Sequence, residues 1–249
     1  MKSAFKRAFA RPEKRAAPAP LPAHIEAIRQ KALKGHHLEI VQWGQVLLES
    51  IYVPKDPAAA LEWFTSAANA GFGPGYNMRG RCYQFGWGCT QNLTEAARCY
   101  AAAAHAGDEW GRYNLGIMVM RGIGQPRNLA KACALFQEAA HKGHAKSINL
   151  YARFLEEGWI VAQDRAAAAK WYKLSAESGD YRGQHNYATL LLENGQQDEA
   201  LAWWHKAVVD ATSDILLAMR QKLLLLGDRR DHALEKLVCM RLTDMNIEV

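Results

Sequence analysis

Apolar residues recur along most of this chain at spacings of three and four, and the whole stripe repeats every 36 residues. Gly35, Gly71, Gly107, Gly143 and Gly179 mark the period. Ala32, Ala68, Ala104, Ala140 and Ala176 stand three before each glycine, and Phe64, Tyr100, Phe136 and Tyr172 stand seven before. Ala60, Ala96, Ala132 and Ala168 stand eleven before. These offsets share one face of an α-helix, as a buried stripe should. Asp56, Asn92, Asn128 and Asp164, fifteen before, are residue types whose side chains accept from the free amides that open a helix. Pro57 follows Asp56 in the favoured first-turn place, and Glu95 follows Asn92 by three in the manner of a capping box. The glycine falls just past the helix end, where a left-handed residue closes the last turn without a Cβ penalty. Each period therefore predicts one helix of about 14 residues, helix B, ending at its glycine.

The other half of the period predicts a second helix, A. Trp43-Gly44, Arg79-Gly80 and Leu115-Gly116 lie eight and nine past the repeat glycine, with Ala152 and Ala188 replacing the small residue later. A glycine inside a helix costs up to about 1 kcal/mol and persists where another helix lies against it. Helix A stops at Gly86-Trp87-Gly88 or Gly122-Ile123-Gly124. No segment alternates with β-branched enrichment, so no strand is expected. A helix pair this short cannot bury its own apolar face, whereas a stack of such pairs builds a continuous core. The expected fold is an all-α, right-handed α/α superhelical solenoid of about five 36-residue helix hairpins with capping helices. Its parts are a basic Pro/Ala-rich tail (1–22), an N-terminal capping helix (23–35), repeats over 36–71, 72–107, 108–143, 144–179 and 180–211, and a C-terminal cap (212–249) with helices near 214–226 and 230–242. The fifth unit drops four residues between its helices, because Trp203-Trp204 follow Trp171-Tyr172 by 32.

The run Tyr113-Asn114-Leu115-Gly116, the loop Gly122-Ile123-Gly124, the cap Asn128, the pairs Trp63-Phe64 and Trp171-Tyr172, and the closing Ala139-Ala140 before Gly143 resemble the Sel-one-like repeat family, relatives of the tetratricopeptide repeat. The resemblance spans about residues 23–211. Cys89 and Gln125 stand where the loop valine is usual, and the first unit has Ser50-Ile51-Tyr52 in place of the loop glycines. The resemblance implies a non-catalytic scaffold or adaptor for protein complexes, with no cofactor. It also raises a helix-to-helix disulfide of the kind some exported relatives carry, from Cys82 and Cys99, although Cys89 departs from a clean pair. Fold alone does not name a partner.

Composition narrows the chemistry. With 49% hydrophobic and 22% charged residues among 249, the chain is neither disordered nor collagen-like. No run reaches the roughly 18 apolar residues that cross a bilayer. The net charge is +6, yet residues 1–22 hold six cations against Glu13, which leaves the other 227 residues at +1. The charge is a tail property and a weak nucleic-acid signal, since a nucleic-acid binder carries its basic face on the fold. Five cysteines without a CxxC pair read as buried thiols in a reducing, cytoplasmic compartment. No HExxH, nucleophile elbow or P-loop occurs. His36-His37, and His141 and His144 around Gly143, read as surface polar residues rather than metal ligands. Gly71-Phe72-Gly73-Pro74-Gly75 reads as an inter-unit turn. No catalytic, metal or cofactor residue is assigned.

The positive expectation is a groove. In the family resembled, helix A lines the concave side. Positions equivalent to Gly111, Leu115, Gly116 and Val119 are expected in the core. The other stripe is expected to face a peptide or partner protein: Gln42, Gln45 and Glu49; Met78, Arg81 and Phe85; Trp110, Asn114 and Arg121; Lys146, Arg153 and Glu157; Arg182, Asn186 and Thr189. Asn can pair a peptide backbone and Arg a carboxylate, and Trp and Arg are common interface anchors. In the tail, Phe5, Ala8 and Phe9 share a helical face opposite Lys2 and Lys6, which suits weak contact with an anionic membrane, or a mitochondrial presequence in a eukaryote. A tethered adaptor docked by this tail to membrane or nucleic acid is the alternative reading. Oligomeric state is left open.

Overall fold

The computed structural model describes residues 20–229 and 231–247. The amphipathic tail, with Lys2, Phe5, Lys6, Ala8 and Phe9, lies outside them. In chain order the helices are α1 (Ala23–Leu33), α2 (His37–Glu49), α3 (Pro57–Asn69), α4 (Gly73–Phe85), α5 (Leu93–His105), α6 (Glu109–Arg121), α7 (Leu129–His141), α8 (Ala145–Glu157), α9 (Arg165–Glu177), α10 (Tyr181–Glu193), α11 (Gln197–Ala207), α12 (Ser213–Leu225) and α13 (His232–Asp244). The described residues contain no strand. The A helices are α2, α4, α6, α8 and α10; the B helices are α3, α5, α7, α9 and α11. α1 is a lone B-type helix, and α12 and α13 cap the other end.

The repeated caps act as their residue types predict. Asp56, Asn92, Asn128 and Asp164 accept from the backbone amides of Ala59, Glu95, Lys131 and Ala167 at 2.8–3.0 Å. The capping box at Asn92 does not close. Glu95 pairs with Arg98 instead, because the Asn92 amide already donates to the Tyr83 carbonyl at 2.9 Å. The equivalent amides of Asp56, Asn128 and Asp164 donate to Leu47, Val119 and Leu155. Each cap thus ties helix B back to helix A of its own unit.

The mid-helix glycines are contact points. A Cβ on Gly44, Gly80 or Gly116 would lie 2.4–2.7 Å from the ring of Phe64, Tyr100 or Phe136. The aromatic of helix B therefore lies flush on the A backbone, and all three rings are fully buried. Between units the same device recurs: Gly75 meets Ala67, Gly111 meets Ala103 and Gly183 meets Ser175. An ion network centred on the buried Arg112 reinforces one such junction. Arg112, only 7% exposed, donates to Glu109, Glu138 and the Ala104 carbonyl, each at 2.8 Å.

Neighbouring A helices meet across units at α2–α4, α4–α6 and α8–α10, while the B helices of successive repeats make no comparable contact. The A layer is the inner curve of the stack and the B layer the outer one.

Candidate functional site

The inner curve carries a groove of about 590 Å³ whose walls include Gln45, Arg81, Phe85, Trp110, Asn114 and Lys146, drawn from α2, α4, α6 and α8. Phe85 is 53% exposed and Trp110 49%. Neither ring floats free. Phe85 stacks on Trp87 at 5.1 Å, and the Arg81 guanidinium lies over Trp87 at 5.1 Å. Trp110 meets His144 edge-on at 4.8 Å, with the Lys146 ammonium 5.0 Å over its face. Burial pushes the His144 pKa down to about 4, and its Nδ1 lies 2.9 Å from Ser147 Oγ, so the ring is neutral at pH 7. The cations that line the groove are Arg81 and Lys146; Arg121 and Arg153 line a separate pocket between α6 and α8, and the Arg182 guanidinium lies over the Tyr181 ring at 4.5 Å. Asp108 also lines the groove; burial raises its pKa, and it accepts from the Gly111 amide at 2.8 Å.

Several expected groove residues have other tasks. Met78 is only 5% exposed and packs in the core with Val41 and Trp43; its sulfur accepts from Arg81 at 3.8 Å. Little of it is left exposed, yet it still lines both the 590 Å³ groove and the smaller pocket at the first seam. Asn114 donates to Asn77 Oδ1 at 2.9 Å and Asn186 donates to Asn149 Oδ1 at 2.8 Å, so these amides join units to each other. The Thr189 hydroxyl is buried and meets no hydrogen-bond partner among the described residues. Gln42, Arg182, Glu157 and Glu49 are half-buried or exposed.

Two further pockets open between units where helix A ends; Gln45, Glu49, Met78 and Arg81 of the first and Arg121 and Arg153 of the second were among the residues expected from the sequence, and the others were not. The one between the first and second units, about 280 Å³, is formed by Gln45, Leu48, Glu49, Lys55, Met78, Arg81 and Trp87. The one between the third and fourth units, about 630 Å³, has Met120, Leu129, Leu150 and Phe154 as its apolar floor, with Arg121, Arg127, Arg153 and Trp159 around it. Position for position the two are related by 72 residues, two repeats. Leu48 matches Met120, Lys55 matches Arg127, Arg81 matches Arg153 and Trp87 matches Trp159. The Arg153 guanidinium lies 5.2 Å over the Trp159 ring, as Arg81 lies over Trp87. At the intervening seam the corresponding pair is Ile117 and Ile123.

Among the described residues no group of three or more His, Cys, Asp or Glu side chains could hold a metal ion. All five cysteines are free thiols, and burial drives the Cys82 pKa up to about 12. Cys99 accepts a hydrogen bond from Arg79 Nε at 3.3 Å, and the Cys89 thiol donates to the Cys82 carbonyl. No helix is long and apolar enough to cross a membrane among the described residues.

With this geometry in place, comparison with known proteins is specific. A model of the Sel1 repeat matches residues 41–72, 74–108, 111–144, 145–180 and 182–208. A Sel1 repeat protein from Oxalobacter formigenes is similar at 22% identity and TM-score 0.72, covering 89% of this chain and 98% of that one. So is c5321, a protective antigen of uropathogenic Escherichia coli displaying an SLR fold, at 25% identity and TM-score 0.69; 89% of this chain matches, spanning 48% of that one. The immunity protein Pa5087 from Pseudomonas aeruginosa aligns at 15% identity and TM-score 0.55, over 91% of this chain and 84% of that one. The first and third of these likenesses speak to fold alone. No curated protein sequence matches.

Proposed function

The chain belongs to the Sel1 repeat family, and from that premise we propose that its concave groove captures an acidic segment of a partner protein. Sel1 repeat proteins generally serve as protein–protein interaction scaffolds, and the family is typically non-enzymatic. The observation that carries the reading is the distribution of charge. Of the fifteen inner-wall positions singled out above, five are cations (Arg81, Arg121, Lys146, Arg153 and Arg182) and two are acids (Glu49 and Glu157), on a body whose residues beyond 22 total only +1. The wall's cations stand beside two half-exposed aromatic rings. Aromatic and arginine side chains supply most interface anchors, and a positive wall speeds and orients an acidic partner.

The test is affinity capture with the wild-type chain and with Arg81→Ala/Trp110→Ala/Arg121→Ala, both checked for unchanged helicity. Partner recovery falls at least tenfold in the triple variant. Equal recovery contradicts the groove assignment.

The strongly basic tail supports a second reading, a tether to an anionic surface. Co-sedimentation with vesicles rich in anionic lipid distinguishes the full chain from one starting at Ala23. Binding that is equal for both, or unaffected by raising the salt, rejects the tether.

A further inference from the structure

We propose that the pocket between α6 and α8 is the anchoring subsite of the groove, taking an apolar side chain of the partner whose neighbouring carboxylate is held by Arg121 and Arg127. This rests on the groove reading and assigns it a position and a side-chain chemistry. The cavity of about 630 Å³ is in the range of specific ligand sites. Its floor is made of Met120, Leu129, Leu150 and Phe154, which leaves water with little to bond to. Three guanidinium groups surround it, no acid lines it, and none of the three forms an ion pair among the described residues. Stacking on Trp159 holds the Arg153 plane while leaving its edge N–H groups available to a carboxylate.

The pocket is larger than its counterpart for a reason in the backbone. A Cβ on Gly88 would sit 2.2 Å from the Pro57 carbonyl oxygen, and one on Gly124 would sit 2.3 Å from that of Leu93. Those loops lie directly on the start of the previous unit's helix B. The equivalent of Gly88 and Gly124 in the fourth unit is Ile160, with φ of 66° and 60% exposure. A side chain there cannot occupy the gap a glycine leaves, so the loop stands off from Leu129 and the seam stays open. Ile160 is the prop of the site.

The occupant is a protein segment rather than a nucleic acid. The site is an apolar hole with a cationic rim, Glu157 stands beside it at the end of α8, and Asp108 lines the neighbouring groove, so the cations form no continuous phosphate track. The first pocket is smaller and carries Glu49 where this one has Arg121, so it selects a smaller side chain with less need for an acid. Two helix-packing steps along the inner wall span about 20 Å, and an extended chain covers that in about six residues. The proposed motif is an acid beside a large apolar residue, with a second, smaller apolar residue about six positions away.

A random twelve-residue peptide library selected on the full chain tests this, with the enriched peptides then measured by fluorescence anisotropy. Enrichment of Asp or Glu beside Leu, Met or Phe is expected. Affinity should fall tenfold or more in Arg121→Gln/Arg127→Gln and in Leu150→Trp, which fills the cavity, and should hold in Arg98→Gln on the outer face. The two rim arginines are exposed, so their variant folds even if Leu150→Trp does not. Peptides that ignore the rim variant yet are lost in Arg81→Ala/Trp110→Ala overturn the pocket and leave the groove standing. Failure to enrich any peptide, or stronger binding of oligothymidylate than of every peptide, overturns both.

Discussion

The seam between α4 and α6 and the seam between α6 and α8 join the same kind of helix one repeat apart, yet one is closed and the other open. At the first, Asn77 and Asn114 bond at 2.9 Å and Gly124 lets its loop lie against Leu93. At the second, the matching pair is Tyr113 and Leu150, which have no such bond to make, and Ile160 replaces the glycine. The closed pattern returns between α8 and α10, where Asn149 and Asn186 bond at 2.8 Å. The asparagine links therefore recur every 72 residues, and the pockets at the ends of the A helices recur at the same interval between them, while the Asn77–Asn114 link itself lies on the wall of the 590 Å³ groove. The teaching is that a 36-residue repeat builds the stack and its groove, while a 72-residue alternation laid over it decides where pockets open at the ends of the A helices.

The largest effect should come from breaking a closed seam at its backbone. Gly124→Val places a branched side chain at φ of 67° and drives its Cβ into the Leu93 carbonyl. The expected cost is about 4 kcal/mol, a fall in Tm of roughly 10 °C, read by thermal unfolding. A loss below about 1 kcal/mol would mean that the loop does not bear on the neighbouring unit.

Next in size is the polar link. Asn149→Ala orphans the Asn186 amide and should cost about 2 kcal/mol in urea unfolding. Asn149→Val/Asn186→Met installs the residues that Val41 and Met78 supply at the first seam, and should recover most of that loss. If the double variant is worse than the single one, the seams are not interchangeable.

His185 carries the comparison to the end of the stack, since it holds on α10 the register of Asn77 and Asn149. It is 5% exposed, its Nδ1 has no hydrogen-bond partner among the described residues, and burial, reinforced by Lys222, lowers its pKa from 6.5 to about 4. Between those values the unfolded chain binds more protons than the folded one, so stability falls as pH falls from about 6.5 toward 4. His185→Leu should flatten this dependence by roughly 1–2 kcal/mol at pH 5. An unchanged pH profile assigns the loss to another group, with His144 the next to replace.

The smallest effect has the most informative sign. Ile160→Gly relieves a β-branched residue at positive φ and should stabilise the chain by about 1 kcal/mol, while weakening peptide binding as the seam closes. Stability and binding rising together would contradict the role of Ile160 as a prop.

The repeat was plain in the sequence because stacking demands the same residue at the same place in every unit. Gly116 must be small wherever Phe136 lies on it, and Asn128 must cap wherever helix B begins. Surface composition of the inner wall was legible too, since Phe85, Trp110 and Arg121 follow from helical phase. Contact between units was not. Asn114 and Asn186 looked like ligands because an amide reads the same whether it bonds a guest or Asn77. Arg127 and Trp159 lie in loops, outside the helical phase that located the groove. The 72-residue match of Arg81 with Arg153 and Trp87 with Trp159 was present, but a search for what all units share passes over what alternate units share. Arg112 was missed for a related reason: nothing along the chain shows that Glu109, Glu138 and the Ala104 carbonyl converge on it.

The most direct test of the groove is hydrogen–deuterium exchange of the full chain with and without a selected acidic peptide. Slowed exchange is expected at the C-terminal end of α6, from residue 122 through the first turn of α7 and along α8, with α5, α9 and the rest of α7 unchanged. Protection confined to those outer helices, or spread evenly over every repeat, would contradict the groove reading.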